Sequence, residues 1–340
     1  MEQEIKVCLY GATGYTGTEL LRLLLNHPRV KIVSLTSQSY ANRRLGEVFP
    51  FFEKTYIGNK HLLKEPDEDF DLAFLCLPHE ASLELVPQLL SQGKKVIDLS
   101  GAYRIKDPQC YVEYYGFEHK YPHLLQEASY GLPEIFREDI KKTRLVANPG
   151  CYPTATLLAL YPLLKEGIEF NSVIVDALSG VSGAGRKTVQ RFHYPEMEGN
   201  MFAYSVEKHR HTPEIEDVIK RISHREVKIR FTPQVVPLVR GMMAKVYIKA
   251  EKLDYRELYR ETYKDESFVV VVEEPPHVKY AVGTNMCFIF YHYDDRTSTL
   301  EMISLIDNLG KGASSQAIQN FNLLMGFEED LGLKNTAFFP

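Results

Sequence analysis

Over the first 150 residues, short unbroken apolar runs alternate with runs of helical spacing. "IKVCLYGATG" is apolar until glycine stops it, and "TGTELLRLLLNHP" repeats leucine at a helical period until proline ends it. "VKIVSLTS" and "DLAFLCLP" read as further strands, the helical "EASLELVPQLLSQG" follows, and "KKVIDLS" and "RLVANPG" read as later strands. Strands alternating with helices build βαβ units and a parallel sheet, and near-continuous apolar strands suit a sheet covered on both faces.

After Cys151 the pattern changes. One helix, "PTATLLALYPLLKEG", is followed by strands in "SVIVDALSG", "VKIRFTPQVV", "AKVYIKA", "SFVVVVEE", "MCFIFYHY" and "TLEMISLID". Helical patterns in "PEIEDVIKRI" and "YRELYRETY" lie among them, and an amphipathic pattern, "GASSQAIQNFNLLMGF", comes last. The expected fold is α/β: a Rossmann-type doubly wound parallel sheet plus a second α/β domain with a mixed sheet. No repeat or long linker interrupts the chain.

Composition narrows the function. The net charge of -5 comes with no basic stripe, which argues against a nucleic-acid partner. No apolar run reaches bilayer-spanning length, and "MEQEIKVCLYGATG" reads as a strand entry rather than a signal peptide. The five cysteines are widely spaced, without a Cys-x-x-Cys, which points to a reducing, cytoplasmic setting. Cys8, Cys76 and Cys287 sit among strand formers as small core residues, and Cys110 lies in a Tyr-rich segment.

Cys151 differs, because turn chemistry surrounds it in "ANPGCYPTATLLAL". Pro149-Gly150 makes the turn and Pro153 suits a first helical turn, so Cys151 is expected at a helix N-terminus, where the dipole favours thiolate. A helix-start cysteine without chemistry is the competing reading. A nucleophilic thiol needs a base. His209 and His211 in "KHRHTPEIEDVIK" lie two apart, with Thr212 read as N-cap and Pro213 as the first helical residue. The start of that helix should keep His211 neutral. A His-x-His metal site lacks a short-spaced third ligand, so no metal is expected; two surface histidines remain the bland alternative.

Gly11, Gly14 and Gly17 in "YGATGYTGTEL" stand at the first strand–helix junction, where a backbone approaches a pyrophosphate. The loop offers Thr13, Tyr15 and Thr16 with them. The next strand ends in Thr36, Ser37 and Gln38, without the acid that commonly holds a ribose 2′-hydroxyl, and Arg43 and Arg44 follow. Hydroxyls and arginines suit a 2′-phosphate, so NADP is favoured over NAD, with Ser37 and Arg44 as its candidates. "DALSGVSGAGRKT" can present N–H groups and Arg186 to an anion, or be a plain hairpin. "DLSGAYR" carries Ser100 and Arg104 to a strand end.

Together these stretches resemble a known family. "GATGYTGTEL", "DLSGAYR", "YYGFEHKYP", "YGLPE", "NPGCYPTA", "SGVSGAGRK", "HRHTPEI", "FTPQ" and "DNLGKGASSQA" are similar, in order and over nearly the whole chain, to the motifs of the N-acetyl-gamma-glutamyl-phosphate reductases. That resemblance is to the longer form of the enzyme, within the wider aspartate-semialdehyde and glyceraldehyde-phosphate dehydrogenase group. It implies an NADP(H)-binding domain at 1–150 and 311–340, with a catalytic, oligomerising domain at 151–310. It also implies NADPH-dependent reduction of N-acetyl-gamma-glutamyl phosphate to the semialdehyde plus phosphate, in arginine biosynthesis, by a homo-oligomer (dimer or tetramer). Cys151 matches the family nucleophile, and His209 and His211 its His-Arg-His pair. Ser182 to Gly185 match the loop near the nicotinamide, which makes Ser182 and Gly183 cofactor candidates, and Asn308 matches the asparagine before the last helix. Ser100, Arg104, Asn148 and Arg186 are the candidate substrate contacts. The expected division of work gives thiol deprotonation to His211 and protonation of the substrate oxygen to His209. Rivals are a homologous acyl phosphate such as an aminoadipyl phosphate, a Cys-His hydrolase that leaves the glycine loop unused, and a nucleotide-binding regulator that leaves the thiol unused.

Overall fold

Ile5–Tyr10 forms β1 in the computed structural model, which describes residues 4–337, and it is an interior strand of a seven-stranded sheet. Its neighbours are β2 (Val30–Thr36), β3 (Leu62–Leu63), β4 (Leu72–Leu75), β5 (Lys95–Asp98), β6 (Ser129–Tyr130) and β7 (Leu145–Ala147). They stand in the order β3-β2-β1-β4-β5-β7-β6, and every pairing is parallel. Val7, Cys8 and Leu9 have no exposed surface, which accounts for the unbroken apolar runs. The order is that of a doubly wound nucleotide-binding sheet.

The second sheet is mixed, as its looser strand–helix pattern predicts. Its strands are β8 (Ser172–Gly180), β9 (Phe202–Ala203), β10 (Lys228–Val236), β11 (Met242–Lys249), β12 (Val269–Val271), β13 (Cys287–Asp294) and β14 (Thr299–Ile306). The order is β12-β13-β14-β11-β8-β10-β9, with β12–β13 and β8–β10 parallel and the other pairs antiparallel. Helices Cys151–Lys165, His211–Ser223 and Tyr255–Tyr263 pack against this sheet. Burial alternates along β8, β10 and β11, as it does when only one face is closed. The first of these helices is buried nearly all round; each of Leu157, Leu158, Leu160 and Leu163 contributes about 1.5–3 kcal/mol by leaving water.

The chain divides into two compact units, neither continuous in sequence. One gathers the chain up to Arg104, Lys120–Asn148 and Ser314–Leu333. The other gathers Ile105–His119, Pro149–Ala313 and the described residues from Lys334. The last helix, Ser315–Met325, belongs to the first unit and is buried from Ser315 to Leu324. Its Phe321 meets Phe74 of β4 at 5.8 Å between ring centroids, and its Asn320 Nδ2 donates to the Gly131 carbonyl at 2.8 Å.

Two local expectations need correction. The helix after the histidines begins at His211 itself, with Arg210 as N-cap and no side-chain cap, so Thr212 lies inside the first turn. A helix over Pro133–Lys142 stands where no helical pattern was read. It is kinked at Phe136 and buries only a narrow stripe, which hides its period.

Candidate active site

In the first unit, β1 ends at a turn shaped for close backbone approach. Gly11 has φ +78°, and a Cβ there would meet the Cys76 carbonyl oxygen at 2.2 Å. A Cβ on Gly17 would meet the Gly11 oxygen at 2.3 Å, so this third glycine serves strand–helix packing. Gly14 faces the other way: the nearest atom to a Cβ there would be 3.7 Å away, and that open side borders the start of helix Tyr15–Leu24, which has no side-chain cap. These features fit a dinucleotide, whose pyrophosphate takes the place of the missing Cβ and cap. Tyr15 is exposed above this turn, while Thr16 offers its carbonyl to the Ser314 hydroxyl at 2.9 Å. Thr13 and Ser37 are joined hydroxyl to hydroxyl at 2.8 Å, which fixes the end of β2 to the phosphate turn.

Of the two arginines after β2, Arg44 has two exposed carboxylates beside it. Its Nε meets Glu47 at 2.9 Å, its Nη1 meets Asn59 at 2.9 Å, and Glu53 lies 3.6 Å away. Arg43 instead lies over the Tyr40 ring, 5.8 Å from its centroid. With two carboxylates beside Arg44, Arg43 is a second candidate cation for a phosphate at this loop.

Ser100, Arg104 and Asn148 form a buried loop scaffold. Ser100 donates its hydroxyl to Asp98 at 2.8 Å and accepts the Ala102 N–H at 3.1 Å. Burial raises the Asp98 carboxyl pKa, and the Ser100 donors and Arg104 oppose that rise. Arg104 donates to the carbonyls of Asn148 at 2.7 Å and Leu99 at 2.9 Å. Asn148 Oδ1 accepts from Asn320 at 2.9 Å. The Arg104 guanidinium therefore holds main chain, which its motif did not reveal.

In the second unit, Cys151 is the first residue of helix Cys151–Lys165, with Gly150 as an uncapped, extended N-cap. The Nε2 end of the His211 ring lies against Gly150: a Cβ there would meet Nε2 at 2.4 Å. Only glycine lets the imidazole come this close to the residue before the thiol. Glu214, fully buried one turn after His211, accepts the Gly150 N–H at 2.8 Å and ties the two helix starts together.

His209 and His211 are 4.8 Å apart between ring centroids, so they do share one side. Their surroundings differ. His209 is ringed by Tyr152, Tyr204 and Phe231 at 5.9, 5.4 and 5.1 Å. Burial, then the Arg210 charge, lowers its pKa to about 4. Its Nδ1 accepts the His211 N–H at 3.1 Å, which puts the proton of the neutral ring on Nε2. A second proton would have to displace that hydrogen bond. That hydrogen bond ties the His209 ring to the His211 main chain.

The remaining site candidates lie on loops. Ser182 accepts from Asn308 Nδ2 at 2.9 Å, and Asn308 Oδ1 accepts the Gly241 N–H at 2.8 Å. A Cβ on Gly183 would meet Ser179 Oγ at 3.2 Å. Arg186 is exposed on the loop beyond. Gly312 was missed by sequence reasoning: a Cβ on it would meet the Cys151 Cβ at 2.7 Å. The glycine of "DNLGKGA" signals a close approach without saying to what. Among the described residues no cluster of His, Cys, Asp and Glu could hold a metal, and no helix is long and apolar enough to cross a membrane.

Comparison with known proteins bears on both units. The semialdehyde dehydrogenase NAD binding domain family matches residues 6–143, and the semialdehyde dehydrogenase dimerisation domain family matches 151–308. The N-acetyl-gamma-glutamyl-phosphate reductase of Aquifex aeolicus is 63% identical over 340 residues, covering 100% of both chains. That of Halothermothrix orenii is 46% identical over 350 residues, covering 99% of this chain and 100% of its own. Aspartate semialdehyde dehydrogenase II of Vibrio cholerae shares the fold with a TM-score of 0.72 at 18% identity, covering 96% of this chain and 99% of its own. A Candida albicans aspartate semialdehyde dehydrogenase with NADP superposes with a TM-score of 0.71 at 15% identity, covering 95% and 99%.

Proposed function

The chain belongs to the N-acetyl-gamma-glutamyl-phosphate reductase family, and from that premise we propose that it reduces N-acetyl-gamma-glutamyl phosphate to the semialdehyde and phosphate at Cys151, with NADPH, for arginine biosynthesis. The observation that carries the site assignment is the His211 ring packed on Gly150, next to a cysteine that opens a helix.

The Cys151 thiolate attacks the acyl carbon and phosphate leaves, giving a thioester. NADPH, when bound, supplies the hydride. The first N–H groups of the helix, which have no intrahelical acceptor, face the developing oxyanion. His211 takes the thiol proton and lends it to that oxygen. As the C–S bond breaks, the proton returns to His211, and aldehyde and thiolate separate. His209 keeps His211 in place through its Nδ1. Asn308 braces the loop of Ser182 and Gly183 by a hydrogen bond, and Arg186 is available to the substrate anion.

The first unit binds NADP(H) through the Gly11–Gly17 turn and the end of β2, with Arg43 reading the 2′-phosphate. The second carries the catalytic thiol and the oligomer interface. The chain assembles as a homo-oligomer. The face of the second sheet turned from its helices, where Ile174 is 52% exposed and Met243, Tyr247 and Phe288 are half-buried, is the dimer surface we propose. Five free cysteines support a cytoplasmic setting.

The test runs the reaction in reverse. N-acetyl-glutamate semialdehyde, phosphate and NADP should raise the reduced-nicotinamide absorbance, and the aminoadipate homologue should do so far more slowly. Absence of signal with the glutamate compound, or a faster rate with its homologue, overturns the assignment.

A further inference from the structure

Asp307 has no exposed surface, yet it lies outside the chemistry described above. Its carboxylate receives Arg240 through Nε at 3.2 Å and Nη2 at 2.6 Å, the Gly283 N–H at 2.7 Å and the Leu309 N–H at 3.0 Å. A buried carboxylate with this many donors fixes the main chain around it. Its own carbonyl accepts the N–H of Gly310 at 3.1 Å and of Gly312 at 2.9 Å, so the turn from Asp307 to Gly312 closes on one residue. Gly312 is the residue that presses on Cys151: a Cβ there would stand 2.7 Å from the cysteine Cβ and 3.3 Å from its Cα. One connected path thus runs from the Arg240 guanidinium, through Asp307 and its turn, to the nucleophile. Only glycine fits at the end of it. A turn free to shift would release the Cys151 side chain from the wall that sets its direction.

We propose that Arg240 is a positioning residue for the Cys151 nucleophile, acting through its ion pair with Asp307 and the contact of Gly312 with the cysteine Cβ. The proposal rests on Cys151 being the nucleophile, and a Cys151→Ala variant tests that reading separately, since activity retained there defeats the nucleophile assignment and not the path. The Arg240 side chain is about one-fifth exposed and touches the carboxylate by two nitrogens, so lysine keeps the charge and loses the fork.

Arg240→Gln, Arg240→Lys and Gly312→Ala are made in the full chain and checked for folding by circular dichroism and NADP binding. Two rates are read: kcat, and alkylation of Cys151 by iodoacetamide. Arg240→Gln should lower kcat by about tenfold to a hundredfold and change the alkylation rate, while KM for NADP stays within about twofold. Arg240→Lys should recover part of both rates. Gly312→Ala should change both with the ion pair intact. A folded Arg240→Gln with wild-type kcat and alkylation overturns the proposal. Should Arg240→Gln not fold, Gly312→Ala decides: unchanged rates there show that the turn does not set the thiol and overturn it equally.

Discussion

At the scale of single residues, the two histidines separate by environment rather than by sequence position. His211 lies on Gly150, and His209 lies in an aromatic enclosure with its Nδ1 occupied. His211→Asn should therefore cost about 100- to 10,000-fold in turnover and slow alkylation of Cys151 near neutral pH. His209→Asn keeps a carbonyl that can accept the His211 N–H, so it should cost about tenfold or less, measured in the same assay. Cys151→Ser should bind NADP normally and lose about a thousandfold or more of turnover. The His209 environment also predicts a pH effect with a definite sign. Its pKa falls from the ordinary value near 6.5 to about 4 in the fold. Between those values the unfolded chain binds the proton and the folded one does not, so stability is complete above about 6.5 and is lost as pH falls toward 4. Denaturation midpoints across that range should drop more steeply in wild type than in His209→Gln; equal slopes contradict the assignment.

At the scale of elements, the pattern of apolar positions was a good guide where burial is two-sided or strictly alternating. β1, β4, β8 and β14 lie where their runs place them, and the glycine turn stands at the first strand–helix junction. What the pattern could not supply is long-range. Nothing near Arg44 in sequence reveals that Glu53 would share its charge, and nothing in "DNLGKGA" names Cys151 as the neighbour of Gly312. The strand-end position of Arg104 does not reveal that its guanidinium donates to the carbonyls of Leu99 and Asn148. The loop after β2 yields a discriminating prediction. Arg43→Ala should weaken NADP by about tenfold and leave NAD affinity unchanged, whereas Arg44→Ala should loosen the turn and weaken both only slightly. Titration with both cofactors checks this, and selective loss of NADP in Arg44→Ala instead would restore the simpler sequence reading.

At the scale of the whole molecule, the proposed assembly surface is the face of the second sheet that its helices leave uncovered. Ile174→Asp with Tyr247→Asp places two carboxylates on that face beside Asp176 and Glu301, and should yield a smaller species by light scattering with the far-ultraviolet spectrum retained. An unchanged mass would put the interface elsewhere.

The discontinuity of the first unit has an effect in time as well as in space. Helix Ser315–Met325 is buried along almost its whole length in that unit, and the second unit's main span, Pro149–Ala313, is encoded before it. On the ribosome the nucleotide-binding sheet emerges first and waits, with one core wall missing, while more than 160 further residues are made. Phe74 meets Phe321, and Asn148 meets Asn320, only at the end of translation. Early-made protein therefore depends on late-made protein for closure, and a premature stop near residue 310 leaves an apolar gap in the part that was synthesised first.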